Sequence, residues 1–270
     1  MKLILFSGNH PRHLFVNSEV LSHFDEALVI VMEREEVIPS SPDNVSPSDA
    51  ALFSKHFTKR HLVETQTYGE LRPEETFGDV ETLFIRPEQL NTAQLAKKIA
   101  EFSADFCFIF GVDLILEPVI NVLPANKINL HLGLSPWYKG AATLFWPFYY
   151  LQPQFCGVTF HQITKEPDAG EIIHQSVPCL KQGDKIHDVG AKCVVKAKDD
   201  LSKIIHHYKI HGGFKGKSQK TSGRNWRSSD FHASHLRVVY ELFDDNIVDQ
   251  YLFGNLTIKN PNLFTSINEI

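Results

Sequence analysis

The chain predicts an α/β fold, an open and mostly parallel sheet flanked by helices with a small C-terminal extension. Three observations predict it. Short apolar or β-rich runs recur along the first half of the chain, and longer amphipathic stretches of crossover length separate them. Of the 270 residues, 43% are hydrophobic and 22% charged, the balance of a chain that folds around a core.

The strands are read in order as residues 2–6 (KLILF), 27–32 (ALVIVM), 82–85 (TLFI), 106–110 (FCFIF) and 127–132 (KINLHL). A helix is expected over 91–103, where Leu95, Ile99 and Phe102 share a face behind a polar start at Asn91. Residues 157–163 and 171–178 read as two further strands, with the turn sequence PDAG between them. Near the end, HLRVVYELF offers Leu236, Val239, Leu242 and Phe243 as one helical face, and Gly254 is a stop for the segment after it. Parallel strands joined by helical crossovers make the expected product Rossmann-like, with its ligand site just past the strand ends.

Three regions follow: a main domain over 1–205, a Gly/Lys/Ser-rich linker or loop over 206–230 and a small unit over 231–270. The boundary rests on a stretch, Leu201 to Ser229, without Asp or Glu, in which Lys203, Lys209, Lys215, Lys217, Lys220, Arg224 and Arg227 accumulate. The overall net charge of -5 argues against a large nucleic-acid footprint. Cys107, Cys156, Cys179 and Cys193 show neither a C-x-x-C pair nor metal spacing, and the apolar start breaks at Gly8 and Pro11, too soon for a leader core. A cytoplasmic protein without membrane spans is expected.

There is no G-x-G-x-x-G, P-loop, G-x-S-x-G or H-E-x-x-H, which weakens the dehydrogenase, NTPase, serine hydrolase and zinc protease classes. What remains is Asn129 and His131, two apart on a predicted strand and so on one face, an amide beside an imidazole. Alone, such a pair is an ordinary strand end. The whole run INLHLGLSPWYKGAATLFWPFYYLQPQFCGVTFHQITKEPDAGEII, residues 128–173, changes the reading. It resembles the folate-dependent formyltransferase family, in which an Asn-x-His strand, a loop with Pro and Gly, a G-V-T strand and a D-x-G turn follow in this order.

Within that family, GLSPWYKG, ATLFWPFYYL and EPDAG look most like the sugar N-formyltransferases that act on nucleotide-linked amino sugars. The resemblance implies that Asn129, His131 and Asp168 are catalytic, that 10-formyltetrahydrofolate is the co-substrate and that no metal takes part. It further implies a folate wall at Phe110, Gly111, Val112, Asp113, Leu114 and Ile115. Asn9, Arg12 and His13 after the first strand, and Trp137, Tyr138 and Lys139 after the catalytic histidine, are candidates for acceptor contact. His161, His174, His206 and His207 read as ordinary positions. Formyl transfer passes through a tetrahedral intermediate whose oxygen needs donors, and the attacking amine must lose a proton. The residue types leave His131 open as base or as oxyanion donor.

The expected role is formylation of a nucleotide-diphosphate amino sugar for lipopolysaccharide O-antigen, by a homodimer that binds no nucleic acid. Methionyl-tRNA formyltransferase is the alternative, disfavoured by the acidic charge and by a final unit of about forty residues, short for a nucleic-acid-binding barrel. A folate- or sugar-nucleotide-binding protein without turnover is the alternative of another class.

Overall fold

The computed structural model describes residues 1–33, 36–219, 223–257 and 259–267. Among the described residues the chain opens with strand β1 (Lys2–Gly8), helix α1 (Pro11–Leu21) and strand β2 (Glu26–Met32). Helices α2 (Pro47–Tyr68) and α3 (Pro73–Phe77) precede strand β3 (Glu81–Ile85), and helix α4 (Ala93–Phe102) leads to strand β4 (Phe106–Phe110). Helix α5 (Val119–Val122), strand β5 (Asn126–His131), strand β6 (Tyr138–Gly140), helix α6 (Trp146–Tyr149) and strands β7 (Val158–Gln162) and β8 (Ile172–Ser176) follow. Helix α7 (Ile186–His211), strand β9 (Arg224–Trp226) and helix α8 (Ile247–Leu252) complete the order.

Seven strands form one sheet in the order β3-β2-β1-β4-β5-β7-β8, parallel except where β7 runs against β5 and β8. All seven coincide with the runs expected from sequence, give or take two residues at their ends. Both faces are buried, as a sheet with crossover helices requires. Leu3 and Leu5 of β1 join the core beneath α1, α2 and α7, while Ile4 and Phe6 join the opposite core beneath α4 and α5. The alternation follows from the two-residue period of a strand.

Local sequence sets the helix ends. Ser46 accepts from Asp49 N ahead of Pro47, and α2 stops at Gly69, whose φ is +80°. Thr92 caps α4 by accepting from Leu95 N at 3.3 Å, so the helix starts at Ala93, two residues after the expected Asn91. Asn91 instead braces the loop after β4, donating to Leu114 O at 3.0 Å and accepting from Leu116 N at 2.7 Å.

The C-terminal third departs most from expectation. Helix α7 runs through His211 to an αL stop at Gly212, so residues 206–211 are helix rather than linker. Lys217 then pairs with Ile172 on the edge of β8, and Arg224–Trp226 pairs in parallel with β6. Arg224 lies over the Trp226 ring, so the basic stretch is partly built into the body; Lys220 lies outside the described residues. From the expected C-terminal unit, Ala233, Leu236, Val239 and Ile247 enter the same core as β1. The expected helical face breaks at a π-helical turn over Val238–Leu242, which buries Val239 and Tyr240 and leaves Leu242 71% exposed. Gly254, with φ +79°, does end the segment after α8.

No helix among the described residues is long and apolar enough to cross a membrane. Cys107, Cys156 and Cys193 are buried free thiols, and Cys179 is exposed.

Candidate active site

Strand β1 pairs with both β2 and β4, so successive crossovers leave the sheet centre in opposite directions and open a crevice past the carboxyl ends of β1 and β4. A cavity of about 690 Å3 lies there, within the range of small-molecule sites. Its walls include Arg12 and His13 from one strand end and Phe110 to Ile115 from the other. His13 is wedged between them: its ring meets Phe110 edge-on at 4.7 Å, and a Cβ on Gly111 would press within 2.4 Å of its Nδ1. Gly111 also has φ +88°, the left-handed region that favours glycine.

Asn129 and His131 reach the same cavity from β5, on one face as their spacing required. Asp168 comes in from the turn after β7, held at φ +47° while Gln219 donates to Asp168 O and Gly170 O at 2.8 and 2.7 Å. The three expected catalytic residues therefore converge. Asp168 Oδ2 accepts from Gly140 N at 2.9 Å and lies 3.5 Å from His131 Nδ1. Burial by itself would raise the Asp168 carboxyl, but the neighbouring His131 and His161 and the Gly140 N–H outweigh it and hold the group well below the usual carboxylate range.

The second nitrogen of His131 decides its tautomer. Nε2 lies 2.9 Å from Tyr138 O, and a carbonyl only accepts, so Nε2 carries the proton and Nδ1 is the nitrogen that faces Asp168. Strand β6 is what brings Tyr138 O to that point. Gly133 makes room, since a Cβ there would lie 2.5 Å from His131 Nε2.

His161 belongs to the site although its sequence context gave no reason to choose it. It stands opposite Asn129 in the antiparallel β5–β7 register, and its Nε2 is 3.2 Å from Asn129 Nδ2 and 3.3 Å from Asp168 Oδ1. The period-two spacing from Thr159 puts it on the site face, but only knowledge of which strand pairs with β5 makes that informative.

Of the acceptor candidates, Arg12 and His13 line the cavity; Asn9, Trp137, Tyr138 and Lys139 do not. The Trp137 ring packs edge-on against Phe155, and the buried Tyr138 ring sends its hydroxyl to Gln152 Oε1. Lys139 is taken up in β6 opposite Asn225. Pairing with β9 turns this loop along the body, so its backbone serves the site and its side chains do not.

The cavity is also lined, at positions unmarked in the sequence, by His56, Phe57, Arg60 and Glu64 of α2, His187 of α7, and Phe231. Tyr240 OH bridges His56 Nδ1 at 2.9 Å and His187 Nε2 at 3.2 Å, and burial pushes both imidazoles down, His187 to about 3. Both rings are neutral there. Arg12 Nε is 3.5 Å from Glu64 Oε1 and donates to His10 Nδ1 at 3.2 Å.

Comparison with known proteins finds the same fold. A structure of the formyltransferase PseJ from Anoxybacillus kamchatkensis, in complex with UDP-4,6-dideoxy-4-formamido-L-AltNAc and tetrahydrofolate, superposes with a TM-score of 0.52 at 19% identity, covering 92% of this chain and 96% of that one. A 4-N formyltransferase from Francisella tularensis gives 0.55 at 18% identity over 85% and 77%. Phosphoribosylglycinamide formyltransferase from Streptococcus pneumoniae TIGR4 gives 0.53 at 16% over 77% and 98%. At such identities these matches establish a shared fold. Residues 37–205, which hold the Asn129–His131 strand and the Asp168 turn, match the family described as Formyl transferase, and over this majority of its length the chain is a member of the formyl transferase family.

Proposed function

We propose that the protein moves a formyl group from 10-formyltetrahydrofolate to the amine of a nucleotide-diphosphate-linked amino sugar, on a route to lipopolysaccharide O-antigen. The observation that carries this reading is the convergence of Asn129, His131 and Asp168 on one cavity between the β1 and β4 ends. The acceptor class is supported by the loop sequence GLSPWYKG and by the UDP-linked formamido sugar in the similar PseJ structure. For the folate we assign the wall from Phe110 to Ile115, a turn braced by Asn91 in which Gly111 leaves its Cβ space to the His13 ring. Arg12 and Arg60 line the cavity together with Glu64, Asp113, Glu166 and Asp168, and we assign the two guanidinium groups to an anionic diphosphate.

The amine nitrogen attacks the formyl carbon, forming a C–N bond and a tetrahedral oxyanion. Asn129 donates an amide N–H to that oxygen. The amine's proton passes to Nδ1 of His131, the bare nitrogen, and the imidazolium that results is paired with ionised Asp168. The carbon–nitrogen bond to the folate then breaks, and the departing folate nitrogen takes up the proton. His131 is thus the base in this reading, because its other nitrogen is committed to Tyr138 O.

A cytoplasmic location and a homodimer are part of the proposal. The buried free thiols support the first, and the exposed Leu242, Leu252 and Phe253 of the C-terminal segment support the second.

The test is incubation of the protein and 10-formyltetrahydrofolate with a panel of nucleotide-linked amino sugars and with initiator methionyl-tRNA, following folate absorbance. Turnover is expected with a sugar nucleotide. Faster formylation of the tRNA replaces the acceptor assignment, and saturable binding without turnover of any acceptor replaces the enzyme by a binding protein.

A further inference from the structure

His161 is 4% exposed, lines the cavity and has no part in the chemistry above. Its Nδ1 lies 2.8 Å from Gln162 O, so that nitrogen is a fixed donor and Nε2 alone faces the site. This one atom is within reach of two reacting groups, Asn129 Nδ2 at 3.2 Å and Asp168 Oδ1 at 3.3 Å. Bare, Nε2 accepts from the Asn129 amide; protonated, it donates to the Asp168 carboxylate. In either state the ring ties one of the two to a strand whose position the sheet fixes.

The need for such a tie follows from where the two groups come from. Asn129 stands on β5, a strand held on both sides, whereas Asp168 stands in a turn and approaches from the other end of β7. His131 Nδ1 is nearest Oδ2 of that carboxylate, the oxygen that also accepts from Gly140 N, and His161 Nε2 is nearest Oδ1. Without a group at Nε2, the carboxylate can turn about its side-chain bonds and the amide can turn about its own. An amide turned end for end presents oxygen to the oxyanion instead of N–H.

We propose that His161 is a positioning residue for formyl transfer, its Nε2 holding the Asn129 amide when bare and the Asp168 carboxylate when protonated, so that the group it holds keeps the orientation the tetrahedral intermediate requires. The proposal rests on the roles given above to Asn129 and Asp168, and its test is built to separate the two. His161→Asn keeps a donor for Gln162 O but is too short to reach the site. His161→Gln places an amide near the Nε2 position, with an oxygen to accept from Asn129 and an N–H to donate to Asp168.

Turnover of 10-formyltetrahydrofolate is measured with the preferred sugar nucleotide and with hydroxylamine as a small surrogate acceptor. His161→Asn is expected to lower kcat about 10²-fold with KM for both substrates nearly unchanged, the scale of one misplaced oxyanion donor. His161→Gln should recover most of that loss, and in an Asn129→Ala background His161→Asn should cost at most about threefold more, since residues acting through one another are not additive. A second readout needs no turnover: the side-chain amide resonances of Asn129, identified by their loss in Asn129→Ala, should be protected from exchange in wild type and His161→Gln and unprotected in His161→Asn. Asn129 resonances unchanged in His161→Asn, equal defects in the Asn and Gln variants at wild-type Tm, or full multiplicative losses with Asn129→Ala would each overturn the proposal. Activity with hydroxylamine but no sugar nucleotide would sink only the acceptor reading, leaving the His161 results to decide this one.

Discussion

Gly133 shows how little room the catalytic imidazole has. A Cβ there would lie 2.5 Å from His131 Nε2 and 2.7 Å from both Thr143 Cβ and Tyr138 O, and two of these neighbours are fixed by backbone. Gly133→Ala should therefore displace His131 from Tyr138 O and lower kcat by about 10²-fold, while stability falls by only about 1–3 kcal/mol, the usual cost of overpacking. A variant that keeps wild-type kcat in the folate absorbance assay would mean that His131 does not need its bond to Tyr138. Asp168→Asn leaves the turn but removes the charge that pairs with the imidazolium formed on His131. Its kcat is expected to drop by about 10²–10⁴ with the far-ultraviolet circular dichroism unchanged.

Among the elements, the loop between β4 and α5 depends on a contact from outside itself. Asn91, just ahead of α4, holds it at Leu114 O and Leu116 N, and a loop without its own secondary structure relies on such bonds for its shape. If this loop forms the folate wall, Asn91→Ala should raise KM for 10-formyltetrahydrofolate several-fold and leave kcat and the acceptor KM close to wild type. An increase confined to the acceptor KM would assign the wall to the other substrate. Strands β6 and β9 play the corresponding part for the chemistry: they carry Tyr138 O and Gly140 N to His131 and Asp168, and the Trp146–Trp226 stack, with centroids 4.0 Å apart, packs behind them.

Across the whole molecule, the sheet edge and α7 are joined through a buried charge. Asp200 of α7 is 1% exposed, lies 3.2 Å from His174 Nε2 on β8 and pairs with Lys196. Burial by itself would raise its carboxyl, but the neighbouring His174, Lys196 and Ser176 side chains lower it to about 2. A folded value below the ordinary value of about 3.9 means that the stabilisation is complete above that value and is lost as pH falls through about 2. Urea unfolding should thus find Asp200→Asn less stable by about 2 kcal/mol or more at pH 7 and pH 5, with the gap narrowing below about pH 4. A gap that stays constant down to pH 3 would show that the carboxylate's charge is not what stabilises the contact.

The strands were legible in the sequence because their apolar runs are short, dense and bounded, and because a strand buried on both faces needs every residue to be apolar: Leu3, Ile4, Leu5 and Phe6 are all fully buried. Asn129 and His131 were legible for a related reason, since period-two spacing fixes a common face before any partner strand is known. Asp168 was found only through the resemblance, as its turn sequence alone signals no more than a turn. The fate of Trp137, Tyr138 and Lys139, the entry of His161 and the cluster around His56 and His187 all depend on which distant segments meet. Residues 206–230 read as a linker because Gly, Ser and Lys dominate them, yet pairing of Arg224–Trp226 with β6 is a backbone interaction that composition does not encode. What the sequence by itself determined was local: the apolar periods that make strands and helices, and the side chains able to donate, accept or carry a proton. Tertiary structure decided which of them touch, because register and crossover direction bring together Asn129 with His161, and His131 with Tyr138 O, across separations that no local pattern spans.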